Sequence, residues 1–511
     1  MTQTRNVGLR LVATILLALA VIAPSAGQDL QGKVVEHTLK NGMRFLIVER
    51  HEAPVFSAMV AFKVGGVDEK TGYTGLAHMF EHMAFKGTQV VGSKNYAKEK
   101  PILDRLDRVA LQLARLDAEN RPQDASRREA LAKQMEQLQK EAEQYVIPNQ
   151  FDEIMSVNGA EGLNAFTSKD ITAYVESLPS NRFELWALLE SQRIATPVLR
   201  EFYLERSVVA EERLERTDND PDGKLYEALV TAAFQAHPYH FPVIGWMSDI
   251  RSLTRPQAEW FHRIYYTPGN AVCALVGDIK PSEALPIIDK YFGAIPAGPP
   301  PPPVVTTEPA QDGERRVQVL FRAQPQLSMA YHKPTLPSDD DFVFDVLNQI
   351  MTGGRTSRLY TALVKQKRIA VSVDSDTSSP GARYPNLFEI SATPIYPHTA
   401  DELTRAIDEE IERLKTEPVP DRELQKAKNQ LDADFVRGLA SNMGLASQLA
   451  YYQLVAGDWR YLLRWRERVR QITAADIQRV ARKYLVPQNR TVAVLQPLEA
   501  SPASSTPGGA Q

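Results

Sequence analysis

The segment His78-Met79-Phe80-Glu81-His82 carries the residues best suited to chemistry in this chain. Residues four positions apart lie on one face of an α-helix, so the two imidazoles can bind a single Zn²⁺ through ring nitrogens at about 2.0–2.1 Å. Glu81 precedes the second histidine, where its carboxylate can take a proton from a water molecule beside the ion. The chain has only nine histidines in 511 residues, so this spacing indicates a metal site rather than a chance pair on a helix surface.

A catalytic zinc needs a third protein ligand and an open position for water. We predict Glu212 as that ligand, in a helical stretch where Glu205, Val209 and Glu212 recur on one face. Glu205 is expected to hydrogen-bond the site or to exchange with Glu212 as ligand. Glu211 is the rival, although it is rotated by about 100° on an ideal helix. A solvated acidic face without any metal is the competing interpretation.

Strands are predicted on both sides of the histidine segment. An Asn41-Gly42 turn joins two apolar strands, and a third strand runs through residues 56–66. Residues 162–175 have the composition of a strand pair rich in Thr, Phe and Tyr. Because an edge strand can pair with the backbone of an extended peptide, we expect Asn164 and Ala165 to contact a substrate. An ordinary strand without this role is the alternative.

The chain also repeats itself. The segment from Leu253 to Asn270 aligns without gaps on the segment from Ile472 to Asn489, at an offset of 219 residues. Each copy begins with a threonine that can cap a helix, and continues through an amphipathic helix to Tyr-x-x-Pro-x-Asn and an apolar strand. An offset of this size is typical of one domain. The predicted fold class is therefore α+β, with two homologous α/β-sandwich domains facing each other across a cleft.

Composition separates the two halves. Residues 296–309 include a run of five prolines and predict a stiff, extended linker. We assign residues 31–295 to a metal-binding catalytic domain and residues 310–498 to a second domain, which lacks His-x-x-Glu-His. The Ser/Pro/Gly/Ala-rich tail, 499–511, is expected to be disordered.

A charged segment, residues 97–150, is predicted to be a helical hairpin inserted in the first domain. Apolar residues recur there at helical spacing in two runs, and Arg121-Pro122 separates the runs. The two helices are expected to pack on each other. A docking surface for a partner protein is a second interpretation of the same segment.

Residues 1–27 have the pattern of a signal peptide. Arg5 and Arg10 precede an apolar run too short to span a bilayer comfortably, and small residues follow it. An uncleaved membrane anchor is the alternative; after cleavage no stable membrane span is expected. Cys273 is the single cysteine and lies in a buried-strand pattern, so no internal disulfide forms. Export without disulfides favours a bacterial periplasm, and a net charge of −4 gives no indication of a nucleic acid partner.

These motifs resemble those of the pitrilysin/insulinase-type zinc peptidases, especially the short two-domain members that include the mitochondrial processing peptidase. The likeness rests mainly on residues 65–88, 162–175 and 205–212. The resemblance implies zinc ligation by His78, His82 and Glu212, with Glu81 as the base of an endopeptidase acting on peptides or unfolded segments. The separation of His82 from Glu212, 130 residues, exceeds the usual family spacing, and the 97–150 insertion accounts for the excess.

One departure from the family lies in the second half. Single-chain members carry a substrate-binding Arg and Tyr after a Ser-Arg-Leu landmark, and here these positions hold Val364 and Val371. A valine side chain cannot hydrogen-bond a peptide. Arg355, Arg358 and Tyr360 are possible substitutes, although a packed helix start explains them better.

Family members without the Arg/Tyr pair often work beside a zinc-less homologous subunit that supplies it. The resemblance therefore implies a heterodimer in which this chain is the catalytic subunit. A non-catalytic assembly subunit related to processing peptidase is the alternative, but such subunits tend to lose zinc ligands, and every ligand type is present here.

Overall fold

The computed structural model describes residues 26–498, and two β-sheets of related topology organise them. The first sheet has the order β1-β2-β6-β3-β5-β4 and the second has the order β7-β11-β8-β10-β9. The strands of the first sheet are β1 Val34–Thr38, β2 Arg44–Glu49, β3 Val55–Phe62, β4 Glu161–Thr167, β5 Thr172–Pro179 and β6 Ala271–Gly277. Those of the second are β7 Arg315–Phe321, β8 Gln326–Lys333, β9 Ala370–Ser379, β10 Asn386–Pro394 and β11 Arg490–Pro497.

Seventeen α-helices accompany these strands in the described part of the chain. The first half holds α1 Ala26–Lys33, α2 Leu76–Met83, α3 Tyr96–Glu119, α4 Ala125–Glu143, α5 Gln150–Val157, α6 Phe183–Ala195, α7 Phe202–Arg213, α8 Pro221–Ala233, α9 Met247–Ser252, α10 Arg255–Tyr265 and α11 Pro281–Tyr291. The second half holds α12 Asp339–Thr352, α13 Ala400–Thr416, α14 Asp421–Gly438, α15 Asn442–Val455, α16 Tyr461–Gln471 and α17 Ala474–Tyr484. Two π-helical segments, Leu214–Asp218 and Tyr360–Gln366, and six three-residue 3-10 helices complete the helical structure of these residues.

The sequence repeat corresponds to a structural repeat. The interior strands β6 and β11 follow the repeated helices α10 and α17; each runs parallel to one neighbour and antiparallel to the other. The repeated asparagines make equivalent contacts: Asn270 Nδ2 donates to the carbonyls of Lys63 and Tyr265, and Asn489 Nδ2 donates to those of His332 and Tyr484. The predicted fold class, two homologous α+β domains, is confirmed.

The two halves exchange helices across their contact. Helix α15 of the second half packs on β3 and β6 of the first sheet, and Leu445, Leu449, Met59 and Ala274 belong to one buried apolar cluster there. Helix α8 of the first half packs on β7, β8 and β11 of the second sheet. Each sheet therefore carries its own helices on one face and a helix of the other half on the opposite face.

Several local predictions are confirmed. The Asn41-Gly42 turn joins β1 to β2, with Gly42 at φ +94°, a backbone conformation that favours glycine. The hairpin of α3 and α4 is present, and the two helices pack on each other. Cys273 is fully buried in β6. Residues 296–309 contain neither helix nor strand.

Two predictions concern residues that lie wholly or mostly outside the described part of the chain. Residues 1–25 of the predicted signal peptide and the predicted tail, 499–511, are not described. Within residues 26–498, no helix is both long and apolar enough to cross a membrane.

Candidate metal centre and active site

Helix α2 presents the two histidines because its other face is apolar. Leu76, Ala77, Met79, Phe80 and Met83 are buried in the core of the first domain, so positions 78, 81 and 82 turn toward the half-exposed side. The residue before the helix, Gly75, has no side chain to cap the first turn. The carboxylate of Glu69 replaces that cap, since it accepts hydrogen bonds from the backbone N–H groups of Gly75 (2.8 Å) and Ala77 (2.7 Å).

The three predicted ligands lie together. The distance from His78 Nε2 to Glu212 Oε2 is 3.6 Å, and that from His82 Nε2 to the same oxygen is 3.4 Å. Two ligands bound to one zinc at a tetrahedral angle lie about 3.4 Å apart, so the observed spacing fits a zinc ion. The three ligand atoms lie within 4.8 Å of one another, and no other group of three His, Cys, Asp or Glu side chains among residues 26–498 brings its ligand atoms together in this way.

Glu205 orients the second imidazole. Its Oε1 lies 2.9 Å from His82 Nδ1, and its Oε2 accepts a bond from Lys86 Nζ at 2.7 Å. A carboxylate on Nδ1 fixes the tautomer that leaves Nε2 free to bind a metal. Although burial lowers it, the hydrogen bonds to Glu205 and Glu212 raise the pKa of His82 to about 9. These two carboxylates therefore favour a positive charge on the His82 side chain.

The first imidazole behaves differently. Burial, together with the neighbouring charge of His82, lowers the pKa of His78 to about 4. Its Nδ1 is buried without a hydrogen-bond partner, whereas Nε2 faces Glu212. A neutral imidazole with a free Nε2 is the form that binds a metal.

Glu81 lies between the metal cluster and the edge strand β4. Its Oε2 accepts a hydrogen bond from Thr167 Oγ1 at 2.6 Å, and Thr167 is the last residue of β4. Burial raises the pKa of Glu81, and the Thr167 bond works against that rise. One carboxylate oxygen is thus held by the strand.

The strand β4 is the terminal strand of its sheet and pairs only with β5. Asn164 is exposed and Ala165 is half-buried, and the Asn164 side chain accepts a bond from the Ala165 N–H at 2.9 Å. The edge position that the sequence predicted for these two residues is therefore present.

Four residues near the site were not found from the sequence: Glu69, Lys86, Thr167 and Arg216. Arg216, in the π-helical turn after α7, places Nη1 3.2 Å from Glu212 Oε1. No spacing singles out these residues, because each acts on a partner from another segment or through an irregular turn. Glu211, the rival ligand, is exposed and lies outside the metal cluster.

The second-half candidates have other partners. Arg358 forms a two-point ion pair with Glu423, at 2.9 and 2.8 Å. This contact within the second domain agrees with the structural role that the sequence favoured over substrate binding. Val371 is exposed on β9, and Val364 is half-buried in the π-helical segment.

Comparison with known proteins agrees with this architecture. The insulinase profile (peptidase family M16) matches residues 44–101, and the profile described as the peptidase M16 inactive domain matches residues 252–431. The chain is 28% identical over 499 residues to the zinc protease PqqE of Helicobacter pylori, covering 94% of this chain and 98% of that protein.

Solved structures show the same fold. A protease from Helicobacter pylori superposes with a TM-score of 0.77 and 28% identity, covering 91% of this chain and 99% of that one. The periplasmic protease PqqL from Escherichia coli has a TM-score of 0.67 at 17% identity, covering 91% of this chain and 47% of that one.

The fold is shared with two-domain M16 peptidases of known structure. The two M16 profiles and the relatives named zinc proteases support a pitrilysin/insulinase-type metallopeptidase.

Proposed function

We propose that this chain is a zinc-dependent endopeptidase that hydrolyses peptides or unfolded segments. The observation that carries the proposal is the convergence of His78, His82 and Glu212, with Nε2 to Oε2 distances of 3.6 and 3.4 Å. Bound zinc supplies a Lewis acid that polarises the scissile carbonyl and activates water. The relatives named zinc proteases support the same ion.

Side chains and backbone of this protein transfer the proton and bind the substrate. Glu81 takes a proton from the attacking water and later passes it to the leaving amine, while Thr167 holds its Oε2. The edge of β4, at Asn164 and Ala165, pairs with the backbone of an extended substrate, which places the scissile bond beside the base.

The variant Glu81→Gln tests the base. It should keep zinc, because the ligands are unchanged, and should lose peptide cleavage by about 100- to 10,000-fold. Metal analysis and a peptide-cleavage assay measure the two effects. The matched control is Glu211→Gln, an exposed glutamate beside the proposed ligand, which should keep both.

His78→Ala should lose both zinc and cleavage. Wild-type cleavage by Glu81→Gln would show that the assigned base is wrong. A wild-type chain that binds zinc and cleaves no peptide, alone or with a partner, would favour the assembly-subunit alternative.

We also propose that a homologous zinc-less subunit completes the substrate site as a heterodimer. Support comes from Val364 and Val371, which stand where single-chain relatives carry Arg and Tyr. Cleavage by the purified chain should be weak and should rise when a homologue carrying the Arg/Tyr pair is added. Full turnover by the purified chain alone would contradict this proposal.

Finally, we propose export to a bacterial periplasm after removal of a signal peptide. Support comes from the basic start and apolar run of residues 1–27, and from the fold shared with a protease named as periplasmic. Cell fractionation and N-terminal sequencing test it, with the mature chain expected to begin at Gly27 or Gln28. A membrane-bound chain that keeps residues 1–25 would favour the anchor.

A further inference from the structure

The second domain reaches the site region through the loop that joins β9 to β10, residues 380–385. Arg383 in this loop forms a two-point ion pair with Asp68 of the first domain, with Nη1 to Oδ2 at 2.9 Å and Nη2 to Oδ1 at 3.3 Å. Both side chains are nearly buried, at 9% exposure for Arg383 and 3% for Asp68. A buried, bidentate arginine–carboxylate pair fixes both position and orientation.

The same loop also holds the turn between β4 and β5. The Asp170 carboxylate accepts hydrogen bonds from the N–H groups of Ala382 (2.5 Å) and Arg383 (3.1 Å) and from the Tyr239 hydroxyl (2.7 Å). Arg383 Nη1 donates in addition to the Asp170 carbonyl at 3.2 Å. A Cβ on Gly381 would lie 2.7 Å from both Asp170 Oδ2 and Tyr239 Oη, so a larger residue there would displace these hydrogen-bonded groups.

Each of these two contacts lies next to a group that supports the site. Asp68 directly precedes Glu69, whose carboxylate caps the first turn of α2. Asp170 follows Thr167 by three residues, and Thr167 holds the Glu81 carboxylate. The loop of residues 380–385, which belongs to the second domain, therefore fixes both the segment that leads into α2 and the end of β4.

We propose that Arg383 is a positioning residue for the reaction. Through Asp68 and Asp170 it fixes the position of α2 relative to β4. Glu81 and the two histidines therefore face the strand that binds the substrate. The second domain thus contributes to catalysis without holding a catalytic residue itself. This inference rests on the peptidase function proposed above.

The test compares full-length variants. Arg383→Met removes the charge and keeps the aliphatic stem, Arg383→Lys keeps the charge without the two-point geometry, and Asp68→Asn alters the other end. Arg460→Met is the matched control, because Arg460 also pairs with a first-domain carboxylate, Glu36, but on β1, at the opposite edge of the sheet from β4.

Four quantities are measured well below the unfolding temperature: kcat and KM on a peptide, the rate of zinc loss to a chelator, and the hydrogen exchange of residues 72–84. Arg383→Met should lower kcat by about 10- to 100-fold, since small displacements of a catalytic group have effects of this size. KM should stay within about threefold of wild type, since uniform binding is unaffected. Zinc should leave sooner, and the first-turn amides of α2 should exchange faster. Arg383→Lys should recover part of each loss, and Arg460→Met should resemble wild type.

A folded Arg383→Met protein with wild-type kcat and wild-type exchange in α2 would overturn the proposal. Equal losses in Arg460→Met would do the same, because they would reflect general loosening of the domains. If Arg383→Met does not fold, Arg383→Lys and Asp68→Asn decide the matter by the same criteria. An inactive wild-type chain would count against the peptidase function, whereas the exchange measurement would still test the positioning role.

Discussion

The two ring nitrogens of His82 face two different carboxylates. Nδ1 lies 2.9 Å from Glu205 Oε1, and Nε2 lies 3.4 Å from Glu212 Oε2. The second oxygen of Glu205 is bound to Lys86, so this carboxylate is already shared between two side chains, His82 and Lys86. At the scale of single residues, the structure therefore separates the orienting glutamate from the candidate ligand.

Replacement of Glu205 tests this separation. Glu205→Ala should weaken zinc binding by about 10- to 100-fold, because the imidazole loses the partner that fixes its tautomer and ring orientation. Competition with a chromogenic chelator measures the affinity, and Glu211→Gln provides the control on the same helix. Unchanged affinity in Glu205→Ala would show that His82 needs no such support.

At the scale of elements, Arg200 joins the helices that carry the candidate ligands. It donates from Nε to Glu99 Oε1 of α3 at 3.0 Å, and from Nη2 to the Thr88 carbonyl, just beyond α2, at 2.7 Å. Arg200 itself stands two residues before α7, and its side chain is 1% exposed. The hairpin is thus anchored to the segment that follows α2 and to the residue that lies two positions before α7.

Arg200→Met should destabilise the fold by about 3–5 kcal/mol, because it leaves the buried Glu99 carboxylate without its partner. Urea denaturation measures the free energy of unfolding. Lys133→Ala is the control: Lys133 pairs with Glu129 on the exposed face of α4, and loss of such a pair costs about 0.5 kcal/mol or less. A cost below about 1 kcal/mol for Arg200→Met would mean that the contact is dispensable.

At the scale of the whole molecule, the exchanged helices make each half depend on the other. Without α15, the first sheet would expose an apolar face that includes Leu46, Met59 and Val276. Leu445 and Leu449 are fully buried against that face, and each buried leucine contributes about 1.5–3 kcal/mol. Neither half is expected to persist alone as a soluble monomer.

Cleavage of the linker tests this dependence. A protease site inserted among residues 299–303 should be cut while the two halves stay together in size-exclusion chromatography, because the exchanged helices still bind. The first half expressed alone should aggregate, and co-expression with the second half should rescue it. Two halves that separate as well-behaved monomers after cleavage would contradict the expectation.

Short-range patterns determined much of this protein. The four-residue spacing of His78 and His82, the turn at Asn41-Gly42 and the apolar spacing of the α3–α4 hairpin are local signals, and backbone geometry turns them directly into helices and a turn. The repeat at an offset of 219 residues adds the two-domain organisation. The candidate metal pair and the two-domain α+β class could therefore be predicted from residues alone.

Tertiary structure decided what periodicity does not encode. Glu205 and Glu212 share a helix face, and only the position of α2 against α7 shows which of them meets both Nε2 atoms. The bond from Thr167 to Glu81 joins residues 86 positions apart, and the Arg383–Asp68 pair joins residues 315 apart. Sequence periodicity does not relate residues that lie so far apart in the chain. Only the folded structure therefore shows which of the many carboxylates a given side chain contacts.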